Sequence, residues 1–367
     1  MGKKVLITAS SFSHICSFHL PYLEKFKSLG WEVHVACGGD CRSIPFADKC
    51  FSVPFEKNLS SLANFKASLF LRHLIRESGY DLVIMHTSLA SFFTRLAEKG
   101  LPHRPKTVHV MHGYLFGPSA GKKKSAMLVA AEYLVSHETD LILTMNHWDQ
   151  TWTKKHFPGV RQMMIPGMGV TDRCLQHDTP VFLKGVEDFV LVYAAEFSAR
   201  KNQSFLIRSL PLLPANVKLI LPGEGDRLAS CRQLASDLAL QERVIFPGHI
   251  QKIGSALYSA DVAVSSSHSE GLPFNLLEAM MWGLPIVASD VKGNNDLVKH
   301  GVNGLLFEDN DRDSFIREVE MLMESSERRA EMGRNGRTLV EQYRLGTVLP
   351  QVMEAYLSCA EDMTEVF

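Results

Sequence analysis

The sequence predicts an α/β protein of two Rossmann-like halves, each built on a parallel sheet. Three observations lead there. Short apolar runs ending in small polar residues or glycine alternate with helix-length stretches along the whole chain. The alternation is interrupted at 167–187 by a turn-rich segment holding Gly169 and Pro180, and restarts at Phe189. The 367 residues suffice for two cores of ordinary size. The expected division is 1–170 plus a returning helix at 348–367, and 171–347.

In the first half, strands are expected at 5–9, 32–37, 81–85, 107–111 and 141–144, with a short closing segment at 163–166. Residues 10–14, Ser-Ser-Phe-Ser-His, read as a loop after the first strand. Helices are expected at 20–29, closed by Gly30, and at 90–99, 126–135 and 149–156. Lys122, Lys123 and Lys124 precede the third of these helices. In the second half, strands are expected at 189–194, 217–221, 244–246, 262–264 and 285–288, with a turn and short strand within 301–307. Helices are expected at 202–213, 227–240, 274–282 (closed by Gly283), 313–324, 327–343 and 348–360.

Composition narrows the function classes. A net charge of -1 provides no global basic field for nucleic acid. The seven cysteines, Cys16, Cys37, Cys41, Cys50, Cys174, Cys231 and Cys359, form no C-x-x-C and are expected to be reduced thiols. No His/Asp/Glu cluster has metal-ligand spacing along the chain. The apolar run near the start is too short for a signal peptide, and no run reaches the ~20 residues of a membrane span. A cytoplasmic protein is expected, with peripheral membrane contact possible through Lys122, Lys123 and Lys124 beside the apolar 126–131.

The most informative stretch is DVAVSSSHSEGLPFNLLEAMMWGLPIVASDVKGNND, 261–296. It reads as one βαβ unit whose loop lies at the carboxyl end of a parallel strand, where open sheets bind ligands. Glu270 and Glu278 bracket the loop and helix at E-x7-E spacing. Carboxylates suit sugar hydroxyls as acceptors, and helix starts suit phosphate. Glu270 is expected near unpaired amides at the helix start.

The run S-E-G-L-P-F-N-L-L-E-A-M-x-x-G-L-P-I-V-A-S-D, 269–290, resembles the donor-site signature of the retaining glycosyltransferase family 4. The resemblance implies the GT-B architecture: two Rossmann-like domains facing across a cleft, with a C-terminal helix crossing back to the first. It implies transfer of sugar from a nucleotide-sugar, a UDP-sugar above all, to a saccharide or lipid-linked acceptor in surface polysaccharide or glycolipid synthesis. Glu278 is expected on the ribose and Glu270 on the sugar, with Gly271, Leu272 and Pro273 around the donor. In the family's phosphate loop, which A-A-E-F-S-A-R-K-N at 194–202 resembles, Lys201 matches. Glu196 stands where the family has Arg, and Arg200 is the candidate second cation. Gly223 and Gly225 are candidates for close backbone approach to the donor, and turn chemistry explains them equally well. His249 and Ile250 stand where the family reads the base. His112, in H-G, is expected at the transferred sugar, and Ser13 and His14 on the acceptor side. No cofactor or metal is expected. Two alternatives remain: a GT-B sugar-nucleotide epimerase and a non-catalytic nucleotide-sugar-binding protein.

Overall fold

The computed structural model describes residues 2–40, 43–56, 58–59, 61–117 and 120–361. Cys41 lies outside them; the six other cysteines are free thiols. The chain forms two compact units. One runs to residue 169 and includes the segment from 345 onward; the other spans 170–344.

The first unit contains β1 (Lys4–Ala9), α1 (Phe12–Phe18), α2 (Leu20–Ser28), β2 (Glu32–Cys37), β3 (Lys49–Ser52), α3 (Leu62–Ser78) and β4 (Leu82–His86). It continues with α4 (Ser88–Glu98), β5 (Lys106–Val110), α5 (Lys122–Val135), β6 (Leu141–Thr144), α6 (His147–His156) and β7 (Arg161–Met164). Its seven strands are all parallel, in the order β3-β2-β1-β4-β5-β6-β7. The central strands are buried on both faces, which is why they read as unbroken apolar runs. Ser61 caps α3 and Asn146 caps α6, each accepting a backbone N–H. Between α4 and α5, Arg95 makes a two-pronged pair with Glu132, Nη1 to Oε2 at 2.9 Å and Nη2 to Oε1 at 3.1 Å. Both side chains are buried, so the pair fixes one helix on the other.

The second unit contains β8 (Phe189–Val192), α7 (Gln203–Ser209), β9 (Val217–Pro222), α8 (Leu228–Asp237), β10 (Val244–Gly248), α9 (Gly254–Leu257) and β11 (Val262–Ser265). After these come α10 (Phe274–Trp282), β12 (Ile286–Ser289), α11 (Asn294–Leu297), β13 (Gly304–Phe307), α12 (Arg312–Glu324) and α13 (Ser326–Val340). Its six parallel strands run β10-β9-β8-β11-β12-β13. In the core Phe205 stacks on Phe307 at 5.5 Å, and Phe315 meets both edge-on at 5.6 and 5.2 Å. Gly283 closes α10 in the left-handed conformation, φ 72°. The last helix, α14 (Leu345–Ala360), packs on α2 and β5 of the first unit.

Several expectations need correction. Residues 12–14 are not loop: Ser11 caps α1, accepting from the His14 N–H, so Ser13 and His14 are helical. The three lysines are not a loop before α5 but its first turn. The strand expected at 189–194 ends at Val192. The helix expected at 202–213 stops at Ser209, because Pro211 lacks an N–H and the chain tightens into a 3-10 turn at Leu210–Leu212. Two elements of the first unit were not foreseen, β3 and the 17-residue α3.

Candidate active site

Each sheet reverses its strand order once, between β1 and β4 and between β8 and β11. At such a point the loops leave toward opposite faces and open a crevice at the carboxyl ends of the strands. Arg200, Lys201 and Glu270 gather at the second of these places, and His14 meets His112 near the first.

In the second unit, the loop after β8 carries Arg200 and Lys201, and the loop after β11 carries Glu270. Lys201 Nζ lies 2.6 Å from Glu270 Oε1, and Arg200 Nη1 lies 2.6 Å from Oε2. Arg200 also donates to the Ser269 carbonyl at 2.9 Å. Glu270 is 6% exposed, and its carboxylate further accepts from the Ser267 hydroxyl. Behind it runs a chain of hydroxyls and an amide. Tyr193 and Ser267 share a 2.6 Å bond, Ser289 donates to the Ser267 carbonyl, and Asn294 donates to Ser289. Burial alone pushes the Glu270 carboxyl upward, but Lys201 and Arg200 outweigh it and hold it at about 2. The carboxylate therefore pairs with two cations rather than with helix-start amides, which is where the sequence had placed it.

Four residues after Glu270, α10 begins at Phe274, and its N-cap, Pro273, offers no capping side chain. Gly271 is buried and Leu272 half-buried. Glu278, half-buried on α10, has a carboxyl raised to about 7 by desolvation. A carboxyl in this state lacks the cations that hold Glu270 down, and a pair of hydroxyl donors would favour its ionised form.

Gly223 and Gly225 have φ of 141° and 148°, and what they make room for is a neighbouring loop. A Cβ at Gly223 would meet the Ala195 carbonyl oxygen at 2.1 Å, and one at Gly225 the Phe197 oxygen at 2.3 Å. The 195–197 backbone bonds there, Ala195 N–H to the Pro222 oxygen and Phe197 N–H to the Glu224 oxygen. Their role is to seat the loop that carries Arg200 and Lys201. Gly293, which the sequence reading passed over, does the same for Glu270: a Cβ there would stand 2.7 Å from the Glu270 Cβ. Glu196 is exposed, and its carbonyl accepts from the Gln203 amide. His249 is exposed just past β10, and Ile250 is half-buried.

In the first unit, a groove of about 700 Å³ is lined by Ser10 and Ser11 after β1, Thr87 and Ser88 after β4, His112 after β5, and Lys124 of α5. It adjoins a smaller apolar cavity of about 240 Å³ walled by Phe92, Phe93, Phe116 and Leu128. Thr87 has φ 67°, rare for a β-branched residue, and its hydroxyl accepts from the Ser10 N–H at 3.1 Å. Ser13 is exposed and not among the residues lining this groove, and its hydroxyl bonds the Ser11 hydroxyl at 3.2 Å. His14 lies against His112, ring centroids 4.8 Å apart. His19 and His86 join them, so four histidines far apart in sequence place ligand atoms within 4.8 Å of one another. Linear spacing gave no sign of this cluster. Burial holds His14 at about 4, and His19, His86 and His112 well below the usual imidazole range, so all four are neutral near pH 7.

Two doubly wound parallel sheets, the second carrying a buried Glu270 held by Lys201 and Arg200 at its switch point, fit the GT-B fold. Residues 22–166 match the model Glycosyltransferase Family 4, and residues 177–339 match Glycosyl transferases group 1. The chain is 31% identical over 369 residues to EpsD of Bacillus subtilis strain 168, itself assigned to the glycosyltransferases, covering 97% of each chain. It therefore belongs to glycosyltransferase family 4. It is also 29% identical, over 73% of each chain, to the Escherichia coli UDP-Gal:alpha-D-GlcNAc-diphosphoundecaprenol alpha-1,3-galactosyltransferase. The fold is shared with sucrose-phosphate synthase from Thermosynechococcus elongatus, at TM-score 0.80 and 17% identity over 98% of this chain and 100% of that one. Anabaena HepE, solved with UDP and glucose, has TM-score 0.76 and 21% identity over 97% and 100%.

The Glu270 cluster has a consequence for acid stability. Its carboxyl sits at about 2 in the folded protein against an ordinary value of 4.5, so it favours the fold above the ordinary value. That contribution, about 3 kcal/mol at most, is lost as pH falls from 4.5 toward 2. Glu270→Gln is expected to be less stable than wild type in urea at pH 7, with the gap closing in acid. An equal gap at every pH contradicts the assignment of the charge.

Proposed function

We propose that this enzyme transfers a sugar from a UDP-sugar to a saccharide or lipid-linked saccharide acceptor, with retention at the anomeric carbon, in surface polysaccharide or glycolipid synthesis. The observation that carries the reading is the pairing of Glu270 with Lys201 and Arg200 at the switch point of the second sheet. A diphosphate arriving there brings a second partner for both cations, and Glu270 is then freed to accept bonds from sugar hydroxyls. Glu278 takes the ribose hydroxyls. The departing diphosphate is stabilised by Lys201, Arg200 and the amides around Gly271, with no metal needed beside it. No side chain is assigned as a covalent nucleophile: the acceptor oxygen bonds the anomeric carbon from the face the leaving group vacates as the sugar–phosphate bond breaks, and the departing phosphate takes the hydroxyl proton. Gly271, Leu272 and Pro273 shape the sugar side, and His249 and Ile250 the base side.

The acceptor belongs to the first unit. Its groove begins at hydroxyls, His112 and a lysine, and passes into a cavity walled by aromatic rings. That gradient suits a sugar joined through phosphate to an apolar chain. The E. coli relative, whose printed name gives a diphosphoundecaprenol-linked acceptor and a UDP-galactose donor, supports both halves of the reading. His112 acts during turnover rather than in holding the nucleotide, and His14 backs it.

The enzyme works at the cytoplasmic face of a membrane and touches it. Among the described residues no helix is long and apolar enough to cross one. Lys122, Lys123 and Lys124 crowd the first turn of α5, an unfavourable place for cations unless an anion joins them. The apolar side chains beyond them are not all core: Met127, Tyr133 and Leu134 are 46–56% exposed. Each lysine near an anionic surface contributes about 1 kcal/mol, enough for weak, salt-sensitive attachment.

The donor site is tested by the pH dependence of UDP binding. With the Glu278 carboxyl at about 7 in the free protein and the ionised form preferred by ribose, affinity should fall about tenfold from pH 8 to pH 6. Glu278→Gln should bind more weakly at pH 8 and lose the part of the slope that wild type shows beyond it. Identical slopes in calorimetric titrations of the two proteins would remove Glu278 from the ribose.

The membrane contact is tested by co-sedimentation with liposomes. Wild type should pellet with anionic vesicles at low salt and release at high salt, and a variant with all three lysines changed to Gln should stay in solution. Equal pelleting of the two proteins in every condition rules the lysines out.

A further inference from the structure

The four-histidine cluster of the first unit has no counterpart in the donor chemistry above. His14 is on α1, His19 at the junction of α1 and α2, His86 at the end of β4 and His112 just past β5. The rings are packed face to face and edge to edge. His19 stacks on His86 with centroids 3.7 Å apart, and His14 meets His112 edge-on. The only hydrogen bond described within the cluster joins His86 Nδ1 and His112 Nε2 at 3.1 Å. His14 Nε2 and both ring nitrogens of His19 are buried and make no hydrogen bond among the described residues.

Neutral imidazole carries one lone pair per ring and is the form in which histidine binds metal. His19 therefore keeps a buried lone pair with no partner, and His14 Nε2 adds a second unpartnered nitrogen beside the bonded His86–His112 pair. We propose that His14, His19, His86 and His112 bind one divalent transition-metal ion of the zinc class. The geometry is near what that requires. Zinc–nitrogen bonds of 2.0–2.1 Å in a tetrahedron place the nitrogens about 3.3 Å apart. The His86–His112 separation is already 3.1 Å, and the widest, 4.8 Å, closes by side-chain rotation. All-imidazole ligation favours zinc, cobalt, nickel or copper over magnesium or calcium, which take oxygen ligands. His112 is half-buried and lines the groove, and the four ligands include no carboxylate to offset the charge of the ion. Because His112 also lines the groove, metal occupancy and the chemistry of the groove are coupled.

The four histidines belong to the first unit and the donor residues to the second, so the proposal does not rest on the donor reading. The test uses the full chain, stripped with a chelator and titrated with Co2+, whose visible absorption reports coordination by nitrogen in a tetrahedral field. About one Co2+ per chain is expected, with the intense spectrum of four-coordination, displaced by Zn2+. His19→Ala and His86→Ala should each weaken binding by at least about 100-fold. His109→Ala, a buried histidine outside the cluster, should leave the spectrum unchanged. Circular dichroism of each variant separates lost binding from lost fold. If a variant unfolds, His14→Gln, on the half-buried edge of the cluster, replaces it. A stripped wild type that shows no such spectrum, or one that survives with His19 and His86 both replaced in a folded chain, overturns the proposal. In either case the cavity holds packed rings and water only.

Discussion

Everything the sites can do depends on one constraint of parallel sheets. A strand pairs in parallel only if the chain crosses back, so every β-to-α loop leaves at the same edge. Where the winding reverses, the neighbouring loops separate, and backbone amides and side chains can converge on a ligand in the crevice between them. The second sheet reverses between β8 and β11, and those two strands deliver Lys201 and Glu270. The first reverses between β1 and β4, and those strands deliver Ser10 and Thr87. The side chains are thus placed by strand order before any local contact forms.

Local contacts then decide the charge. Glu270 is almost wholly buried, a costly position for a lone carboxylate, and two cations with a hydroxyl make it tolerable. The scaffolding around it consists of close backbone approaches that only glycine permits, at Gly223, Gly225 and Gly293. The proposed donor chemistry uses this arrangement, an incoming diphosphate taking the two cations from the carboxylate. Glu278 is different: it has no cation to hold it, and its carboxyl rises to about 7. Two glutamates eight positions apart therefore have opposite electrostatic states.

Much of the fold was legible in the sequence because parallel strands buried on both faces are short apolar runs. Glu32–Cys37, Leu141–Thr144 and Phe274–Trp282 have the boundaries expected. Elements with weaker patterns were not legible. β3 is an edge strand only half-buried, and α3 carries Leu62 and Leu69 outward, 76% and 69% exposed. The Glu270 cluster could be anticipated from residue types, but its partners could not be fixed, since the ring of hydroxyls through Tyr193, Ser267 and Asn294 spans about 100 residues and only the strand order brings it together. The histidine cluster was hidden for the same reason. Its members follow or end three different strands, β1, β4 and β5.

The most direct test of the central claim is a structure of the protein with UDP bound. The account places the diphosphate oxygens within hydrogen-bond reach of Lys201 Nζ, the ribose hydroxyls on Glu278, and the base beside the 248–250 loop. Nucleotide density in the groove of the first unit, or a ribose far from Glu278, would contradict it.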